Sequence, residues 1–152
     1  MDAIKLVTVE PTHADLAVLI RKLDAYLDEM YPADEVFKVD FDSPKVNHIT
    51  FVLAYCDDVP VGCGAISPLG EGVTELKRFY VEPAYRRHGI AIQILNMLET
   101  KARESDYMTM KLETGDQQPE AINFYKKHGF REIDKYGEYV DCTSSVCYEK
   151  QL

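Results

Sequence analysis

The 152-residue chain lacks several features that mark whole classes of protein. It has no run of about eighteen apolar residues, so it predicts no membrane-spanning helix, and the acidic second residue of MDAIKLVTVE is atypical of a secretion signal. It has no surplus of basic residues either, since 17 Lys and Arg stand against 26 Asp and Glu, a net charge of -9. Nucleic-acid binding needs clustered cations. We therefore expect a cytoplasmic protein that binds neither membranes nor nucleic acid.

Cysteine and histidine patterns typical of metal sites are also missing. There is no Cys-x-x-Cys pair, and Cys56, Cys63, Cys142 and Cys147 are irregularly spaced, so we expect buried or half-buried thiols. The four histidines show no His-x-x-x-His spacing, and we predict no metal site. A thiol-based redox or metal protein is the weakest of the functions considered, and thiol labelling with metal analysis would test it.

What the chain does have is the composition of one globular domain spanning residues 1–152. Hydrophobic residues make up 46% and charged residues 28% of the sequence. No repeat, low-complexity tract or linker divides it, and a chain of this length buries about two-thirds of its unfolded surface. The sequence therefore predicts a sizeable core that needs neither disulfides nor metal.

Hydrophobic periodicity predicts an α+β fold. Strands are predicted at residues 4–9, 49–56, 59–67, 73–81, 109–114, 131–136 and 145–149. Helices are predicted from about 16 to 30, 90–104 and 119–128, with a loop that could hold a short helix at 33–48. A strand-helix-strand connection around 90–104 should be parallel and right-handed. We expect a mixed, mostly antiparallel sheet of about six or seven strands flanked by about four helices.

The segment between Glu75 and Ala91 carries the most chemical information. It reads as a strand, a turn and a glycine, Gly89, at the start of a helix. Free backbone N–H groups and the helix dipole attract anions there, and a glycine lets a phosphate come close. Arg86 and Arg87 add positive charge. The segment therefore suits a diphosphate group, although Arg-x-x-Gly-x-Ala alone is a short pattern that often occurs by chance.

This segment resembles the acyl-coenzyme A signature of the GNAT superfamily of N-acetyltransferases. That signature reads (Gln/Arg)-x-x-Gly-x-(Gly/Ala) and follows a strand that ends in apolar-x-Val-x-Pro. The matching residues here are Phe79, Val81, Pro83, Arg86, Gly89 and Ala91. Arg87 stands where the family commonly has glycine, which crowds one backbone amide.

A second block, residues 118–130, resembles the later helix of the same family, Asn-x-x-Ala-x-x-x-Tyr-x-x-x-Gly-Phe. Gln118 replaces the usual asparagine and has a longer, more flexible side chain. The two blocks occur in the family's order, and the predicted elements follow the family along the whole chain. Two local patterns, Glu-Leu-Lys-Arg-x-Tyr-Val and Leu-Glu-Thr-Gly-x-x-Gln-Pro-Glu-Ala, resemble a bacterial subgroup whose substrates are mostly unassigned.

The resemblance implies that acetyl-CoA is the cosubstrate and that two diverging parallel strands hold its pantetheine arm. The pyrophosphate would lie on the amides of residues 87–91, and the Phe79 amide would polarise the thioester carbonyl. The implied cofactor-binding residues are Phe79, Tyr80, Val81, Arg86, Arg87, His88, Gly89, Ile90, Ala91, Gln118, Asn123 and Tyr125.

The resemblance also implies two residues that handle protons. An amine has a pKa near 10, so only about one molecule in a thousand is nucleophilic at neutral pH. Glu75 stands where some family members carry a general base, and strand alternation predicts that it shares a face with Phe79 and Val81. The alternative is that Glu75 simply pairs with Lys77.

The predicted acid is Tyr125, which matches the family's tyrosine and would assist departure of the coenzyme A thiolate, whose pKa is near 8.5 by analogy with cysteine. The alternative is a helix aromatic that packs on the core with its hydroxyl at the rim.

The resemblance also implies residues that would bind the acceptor. In the superfamily the first helix and the next loop form one wall of the acceptor pocket, which implies Tyr26, Glu29, Met30 and Tyr31, with Glu113 across the cleft. The alternative is an amphipathic helix with a solvated acidic face. The acceptor would be a small-molecule or peptide amine, and a homodimer is possible in this superfamily. A coenzyme A-binding sensor or scaffold of the same fold, without turnover, is the alternative function.

Overall fold

A mixed seven-stranded sheet forms the centre of the protein, as expected from the sequence. The computed structural model describes residues 3–152. The strands are β1 (Ile4–Val9), β2 (Thr50–Cys56), β3 (Val59–Gly70), β4 (Val73–Val81), β5 (Thr109–Gly115), β6 (Arg131–Ile133) and β7 (Ser145–Gln151). They lie in the order β1-β2-β3-β4-β5-β7-β6. β4 and β5 are parallel and the other neighbours are antiparallel, which confirms that the predicted crossover joins parallel strands.

Three α-helices pack on this sheet within residues 3–152: α1 (Ala14–Met30), α2 (Ile90–Glu104) and α3 (Pro119–Lys127). Four short 3-10 helices complete the set, at Ala33–Glu35, Pro44–His48, Pro83–Tyr85 and Gly137–Tyr139. The first two of these lie in the predicted loop at 33–48. The strand predicted to reach residue 136 ends at Ile133, so Tyr136 belongs to the connection before β7.

Different helices cover the two faces of the sheet. On one face, called the α1 face, Leu16, Leu19 and Leu23 of α1 pack with Phe51 and Cys63 of the sheet. On the other, called the α2 face, α2 and α3 pack against a second buried cluster. The spacing of three and four residues between the apolar positions of α1 aligns them on one side of the helix. The sheet therefore separates two cores.

The parallel strands β4 and β5 pair over only part of their length. Their ladder runs from Val73 opposite Thr109 to Leu76 opposite Leu112. Beyond that point β4 continues to Val81 and β5 to Gly115 without pairing to each other. The sheet therefore opens into a gap between these strands, beside the starts of α2 and α3.

No helix within residues 3–152 is both long enough and apolar enough to cross a membrane.

Candidate active site

The gap between β4 and β5 leads into a cavity of about 890 Å³. Its walls come from both strands, the second half of α1, the loop after α1, and the first turns of α2 and α3. The cavity reaches residues on both faces of the sheet, including Phe79 on the α2 face and Arg78 on the α1 face. A molecule in the gap can therefore contact both sides of the sheet.

One end of the cavity is the N-terminus of α2, which begins after Gly89. Gly89 is the N-cap residue, with φ of +77° and no capping side chain. The first amides of an α-helix have no partner within the helix, and the dipole makes this end positive. A Cβ added at Gly89 would meet no atom within 4 Å, so the space in front of these amides is open. This end can accept a phosphate.

The two arginines before α2 have different surroundings. The Arg86 Nε donates to the Val81 carbonyl at 2.9 Å, and its guanidinium lies 5.8 Å from the ring centre of Tyr26 and 5.9 Å from that of Tyr80. Arg87 is exposed and has a long contact of 3.7 Å with Glu120. Arg86 therefore fixes the turn, whereas Arg87 offers an exposed cation at the mouth of the cavity.

Tyr125 lies where α3 faces the cavity. Its ring centre is 6.2 Å from that of Phe79 and 5.7 Å from those of Phe124 and Phe130. The side chain is buried, and desolvation raises the pKa of the phenol. Tyr125 is therefore a packed core aromatic that also lines the cavity, and its hydroxyl stays protonated at neutral pH.

A β-bulge in β4 changes which residues share a face. Cys63 of β3 pairs with Tyr80 and Ala65 pairs with Lys77, so two residues of β4 stand opposite one of β3. Arg78, inside the bulge, has φ of +51°, which is rare for a residue with a side chain.

The bulge overturns the predicted face of Glu75. Leu76 belongs to the core on the α2 face, so its neighbour Glu75 points to the α1 face. After the bulge the alternation is reversed, and Phe79 and Val81 pack on the α2 face. The prediction that Glu75 shares a face with Phe79 and Val81 was therefore wrong, because strict alternation fails at a bulge.

Glu75 is buried within a set of hydrogen-bond donors. Its Oε2 accepts from the hydroxyls of Tyr136 at 2.6 Å and Tyr139 at 2.9 Å. Its Oε1 lies 3.3 Å from the Lys77 ammonium, the contact anticipated as the alternative role of this carboxylate. Desolvation, followed by the Glu75 charge, raises the pKa of both tyrosines. Glu75 does not itself line the cavity, but Lys77 and Tyr139 do.

Glu113 is the carboxylate of β5 that lines the cavity. Because its neighbour Leu112 packs on the α2 face, Glu113 points to the α1 face, as Glu75 does. The Ser145 hydroxyl donates to its Oε2 at 2.6 Å. Burial raises the pKa of Glu113, with a smaller contribution from the Glu75 charge. Among the described residues, the Ser145 hydroxyl is the one hydrogen-bond donor to the Glu113 side chain. This carboxylate can therefore bind a cation that enters the cavity.

Tyr31 links the end of α1 to the turn between β5 and α3. The Gln117 backbone N–H donates to the Tyr31 hydroxyl oxygen at 2.9 Å. A Cβ at Gly115 would lie 1.9 Å from that oxygen, so the contact requires glycine there. This contact places Tyr31 on the wall of the cavity.

Comparison with known proteins agrees with this geometry. The model of the acetyltransferase (GNAT) family matches residues 16–130. The chain belongs to the GNAT acetyltransferase family.

Individual relatives match this GNAT chain over its whole length. An IAA acetyltransferase of Azospirillum brasilense is 33% identical over 153 residues, covering 100% of both chains. A Klebsiella pneumoniae structure described as an acyl-CoA N-acyltransferase has a TM-score of 0.83 and 30% identity, covering 98% of this chain and 97% of the other. The PaiA N-acetyltransferase of Thermoplasma acidophilum, in complex with coenzyme A, has a TM-score of 0.73 and 19% identity, with 99% of each chain covered. This last likeness concerns the fold.

In this GNAT fold most of the predicted site residues meet at the cavity. Those that line it are Tyr26, Tyr31, Phe79, Tyr80, Val81, Arg86, Arg87, Gly89, Ile90, Ala91, Glu113, Gln118 and Tyr125. Glu29, Met30, Glu75, His88 and Asn123 do not line it. Glu29, His88 and Asn123 are exposed, because the helix or turn that carries each of them presents other residues to the cavity.

Other cavity residues of the GNAT chain escaped the sequence analysis. Glu35 and Phe37 lie in the loop after α1, Arg78 in the bulge, and Tyr139 in the 3-10 helix before β7. Glu35, Phe37 and Tyr139 belong to neither family block, and Arg78 lies in the segment from Glu75 to Ala91 but was given no role in the site. Their connection to the site is purely tertiary, so neither spacing nor periodicity signals it.

No group of three or more His, Cys, Asp or Glu among residues 3–152 is arranged to hold a metal ion. The four cysteines are buried, as the sequence predicted.

Proposed function

We propose that this chain is an acetyl-CoA-dependent N-acetyltransferase that acts on a primary amine by direct attack, without a covalent enzyme intermediate. The observation that carries the proposal is the gap between β4 and β5. It joins an anion-binding helix end on one side to carboxylates on the other. A cosubstrate bound from the α2 side could therefore meet an acceptor that enters from the α1 side.

The residues present fit coenzyme A. The open amides at the start of α2 and the exposed Arg87 suit the pyrophosphate, and Gly89 leaves room for it. After Leu76 the edge of β4 that faces β5 has no partner strand, and its backbone groups are available to the amides of the pantetheine arm, with Phe79 and Val81 as the proposed partners. Gln118, Ile90 and Ala91 would complete the walls. Bound there, acetyl-CoA supplies an activated thioester.

The Phe79 amide is the proposed oxyanion donor. It lies directly after Arg78, at the bulge where the β3–β4 register shifts. An amide released from the regular ladder can point into the gap, and a fixed donor at a developing negative charge accelerates acyl transfer.

Glu75 and Tyr125 have the proposed proton-handling roles. Glu75 accepts the proton that the acceptor nitrogen loses, from its position on the α1 face. The pKa of an ordinary phenol already lies above that of a thiol, and burial raises the pKa of Tyr125 further, so complete transfer of its proton to the thiolate is uphill. Tyr125 therefore stabilises the departing sulfur by donating a hydrogen bond, and the final proton comes from solvent.

The proposed acceptor is a cationic small-molecule or peptide amine. Glu113 offers its carboxylate to the ammonium, and Tyr31 and Tyr26 form the wall on the α1 side. The net charge of -9 favours approach of a cation. Membership of the acetyltransferase (GNAT) family supports an acyl-transfer reaction at this cavity.

Two measurements on the full chain test the proposal. Calorimetry measures binding of acetyl-CoA, and a thiol-reactive dye follows coenzyme A release with ethylamine, phenethylamine, spermidine and a lysine-containing peptide. IAA, which gives the Azospirillum relative its name, completes the panel. We expect binding and amine-dependent thiol release, with the acetylated product identified by mass spectrometry. Binding without release across the panel would support the sensor alternative, and absence of binding would refute both.

A further inference from the structure

Two tyrosines hold the same oxygen of Glu75, but only Tyr139 lines the cavity. Both come from the connection between β6 and β7, and both donate to Glu75 Oε2. Glu75 itself is buried behind them, with 4% of its surface exposed, and forms no part of the cavity wall. A base that takes a proton from an acceptor in the cavity therefore needs an intermediary.

Two groups both contact the Glu75 carboxylate and line the cavity, among the described hydrogen bonds and ion pairs: Lys77 and Tyr139. The Lys77 ammonium has three donor hydrogens and no acceptor, so it cannot take a proton from an amine. The Tyr139 hydroxyl donates its hydrogen to Glu75 and still has lone pairs that can accept another. A phenol in this arrangement can receive a proton on one side while releasing its own on the other.

We propose that Tyr139 relays the acceptor's proton to Glu75. This inference rests on the proposed function. As the ammonium N–H bond breaks, its proton moves to the Tyr139 oxygen, and the Tyr139 proton moves to Glu75 Oε2. The nitrogen keeps its electron pair and becomes nucleophilic, Tyr139 remains a neutral phenol, and Glu75 becomes a neutral acid. Glu75 later returns the proton to solvent by the reverse path.

The surroundings of Tyr139 favour a relay, in which it stays a neutral phenol, over a role in which a Tyr139 phenolate is itself the base. Glu75 on β4 and Glu113 on β5 face it, Glu138 and Tyr136 lie on its own segment, and Phe37 contacts its ring edge-on with centres 4.8 Å apart. Burial and these negative charges raise the pKa of Tyr139, which disfavours a free phenolate. Lys77 is the nearby cation, bound to the other oxygen of Glu75.

The test compares Tyr139→Phe with Tyr136→Phe, using the amine of the panel that the wild-type chain acetylates fastest. Each variant removes one hydroxyl from the same carboxylate oxygen, but only Tyr139→Phe breaks the path to the cavity. We expect kcat at pH 7 to fall about 100-fold in Tyr139→Phe, within the range of general acid–base catalysis. Tyr136→Phe should lose no more than about tenfold, because it removes one charge-assisted hydrogen bond from the carboxylate but leaves Tyr139 and Lys77 in contact with Glu75.

The pH profile gives a second readout that a structural role would not change. Raising the pH towards the amine pKa of about 10 supplies neutral amine directly, so the deficit of Tyr139→Phe should shrink steadily. The acetyl-CoA affinity and the melting temperatures of the two variants should match each other, because neither hydroxyl faces the α2 side.

Several results would overturn the relay. Equal losses in both variants would assign the tyrosines to holding Glu75 in place, and a deficit independent of pH would do the same. Full activity of Tyr139→Phe together with an inactive Glu113→Gln would make Glu113 the base. In each case wild-type turnover keeps the proposed function intact, whereas a wild-type chain that binds acetyl-CoA and acetylates nothing refutes the function itself.

Discussion

Arg78 and Asp24 join β4 to α1 through an ion pair of 2.5 Å between Nη1 and Oδ1. The arginine side chain is 5% exposed and the aspartate 24%. The second Arg78 nitrogen, Nη2, donates to the Phe37 carbonyl at 3.4 Å, so the same side chain also holds the loop after α1. Arg78 lies in the bulge and has a positive φ. Its contacts with Asp24 and Phe37 therefore hold the strained backbone of the bulge in place, next to the amide of Phe79, the proposed oxyanion donor.

We predict that Asp24→Ala destabilises the protein substantially. The mutation leaves a buried guanidinium without its carboxylate, which costs about 3–5 kcal/mol in fully buried pairs, and partial exposure of Asp24 reduces this to about 2 kcal/mol. Urea denaturation measures the change. Asp28→Ala is the matched control, because its pair with Lys38 is half exposed and such pairs contribute about 0.5 kcal/mol. Equal changes in the two variants would contradict the prediction.

The second prediction concerns Gly89→Glu, which should abolish acetyl-CoA binding. The new carboxylate would occupy the open space before the α2 amides and repel the pyrophosphate. Calorimetry at acetyl-CoA concentrations that saturate the wild-type protein measures the loss of affinity. We expect this loss to exceed about 100-fold, or about 2.8 kcal/mol.

Two controls separate this repulsion from backbone strain. Gly89→Ala imposes the positive φ without the charge and should weaken binding much less. Gly72→Glu, at another open glycine with φ of +72°, adds the same side chain away from the cavity and should leave the affinity unchanged. Unimpaired binding in Gly89→Glu would remove the phosphate site from this helix end.

Local signals in the sequence were enough to predict the order of the elements. Asp57 and Asp58 illustrate this, because both adopt positive φ in the two-residue turn between β2 and β3. Aspartate tolerates that conformation, so the turn forms without glycine. The parallel pairing of β4 with β5 followed from the intervening helix in the same way.

The site was predictable where its residues lie in the family's motifs or in elements that the resemblance assigns to the site, as with Tyr31. Gly89 and Tyr125 fall within short motifs, and both line the cavity. Tyr139 is 64 residues from Glu75 and meets it only after the sheet forms. The residue with positive φ in the bulge is Arg78 and not a glycine, so the sequence contains no signal of the bulge. Strict alternation along β4 therefore assigned Glu75 to the wrong face. Long-range contacts and irregular pairing are the features that periodicity does not encode.

The third prediction is that Tyr125→Phe lowers turnover while acetyl-CoA affinity changes little. The ring keeps its packing against Phe79, but the hydrogen bond to the departing sulfur is lost, and we expect kcat to fall about 10- to 100-fold. Steady-state thiol release and calorimetry measure the two quantities. Tyr148→Phe, at a buried tyrosine outside the cavity, is the control and should retain turnover. Unchanged turnover in Tyr125→Phe would leave this tyrosine a packing role alone.

The fourth prediction follows from the raised pKa of Glu113. Because the folded-state pKa lies above the unfolded value of 4.5, the folded protein binds more protons between those two values, and stability falls as pH rises through them. Glu113→Gln removes this loss. The Tm of the variant should therefore rise relative to wild type as the pH is raised above 4.5, in matched thermal melts. Glu132→Gln, at an exposed glutamate, is the control, and its Tm should stay equal to that of the wild type across this pH range. If the difference in Tm between Glu113→Gln and the wild type does not change with pH, the prediction is contradicted.

The same variant tests the proposed role of Glu113 in binding the acceptor's ammonium. Glu113→Gln removes the charge that attracts the ammonium, so the KM for the amine should rise although the protein is more stable.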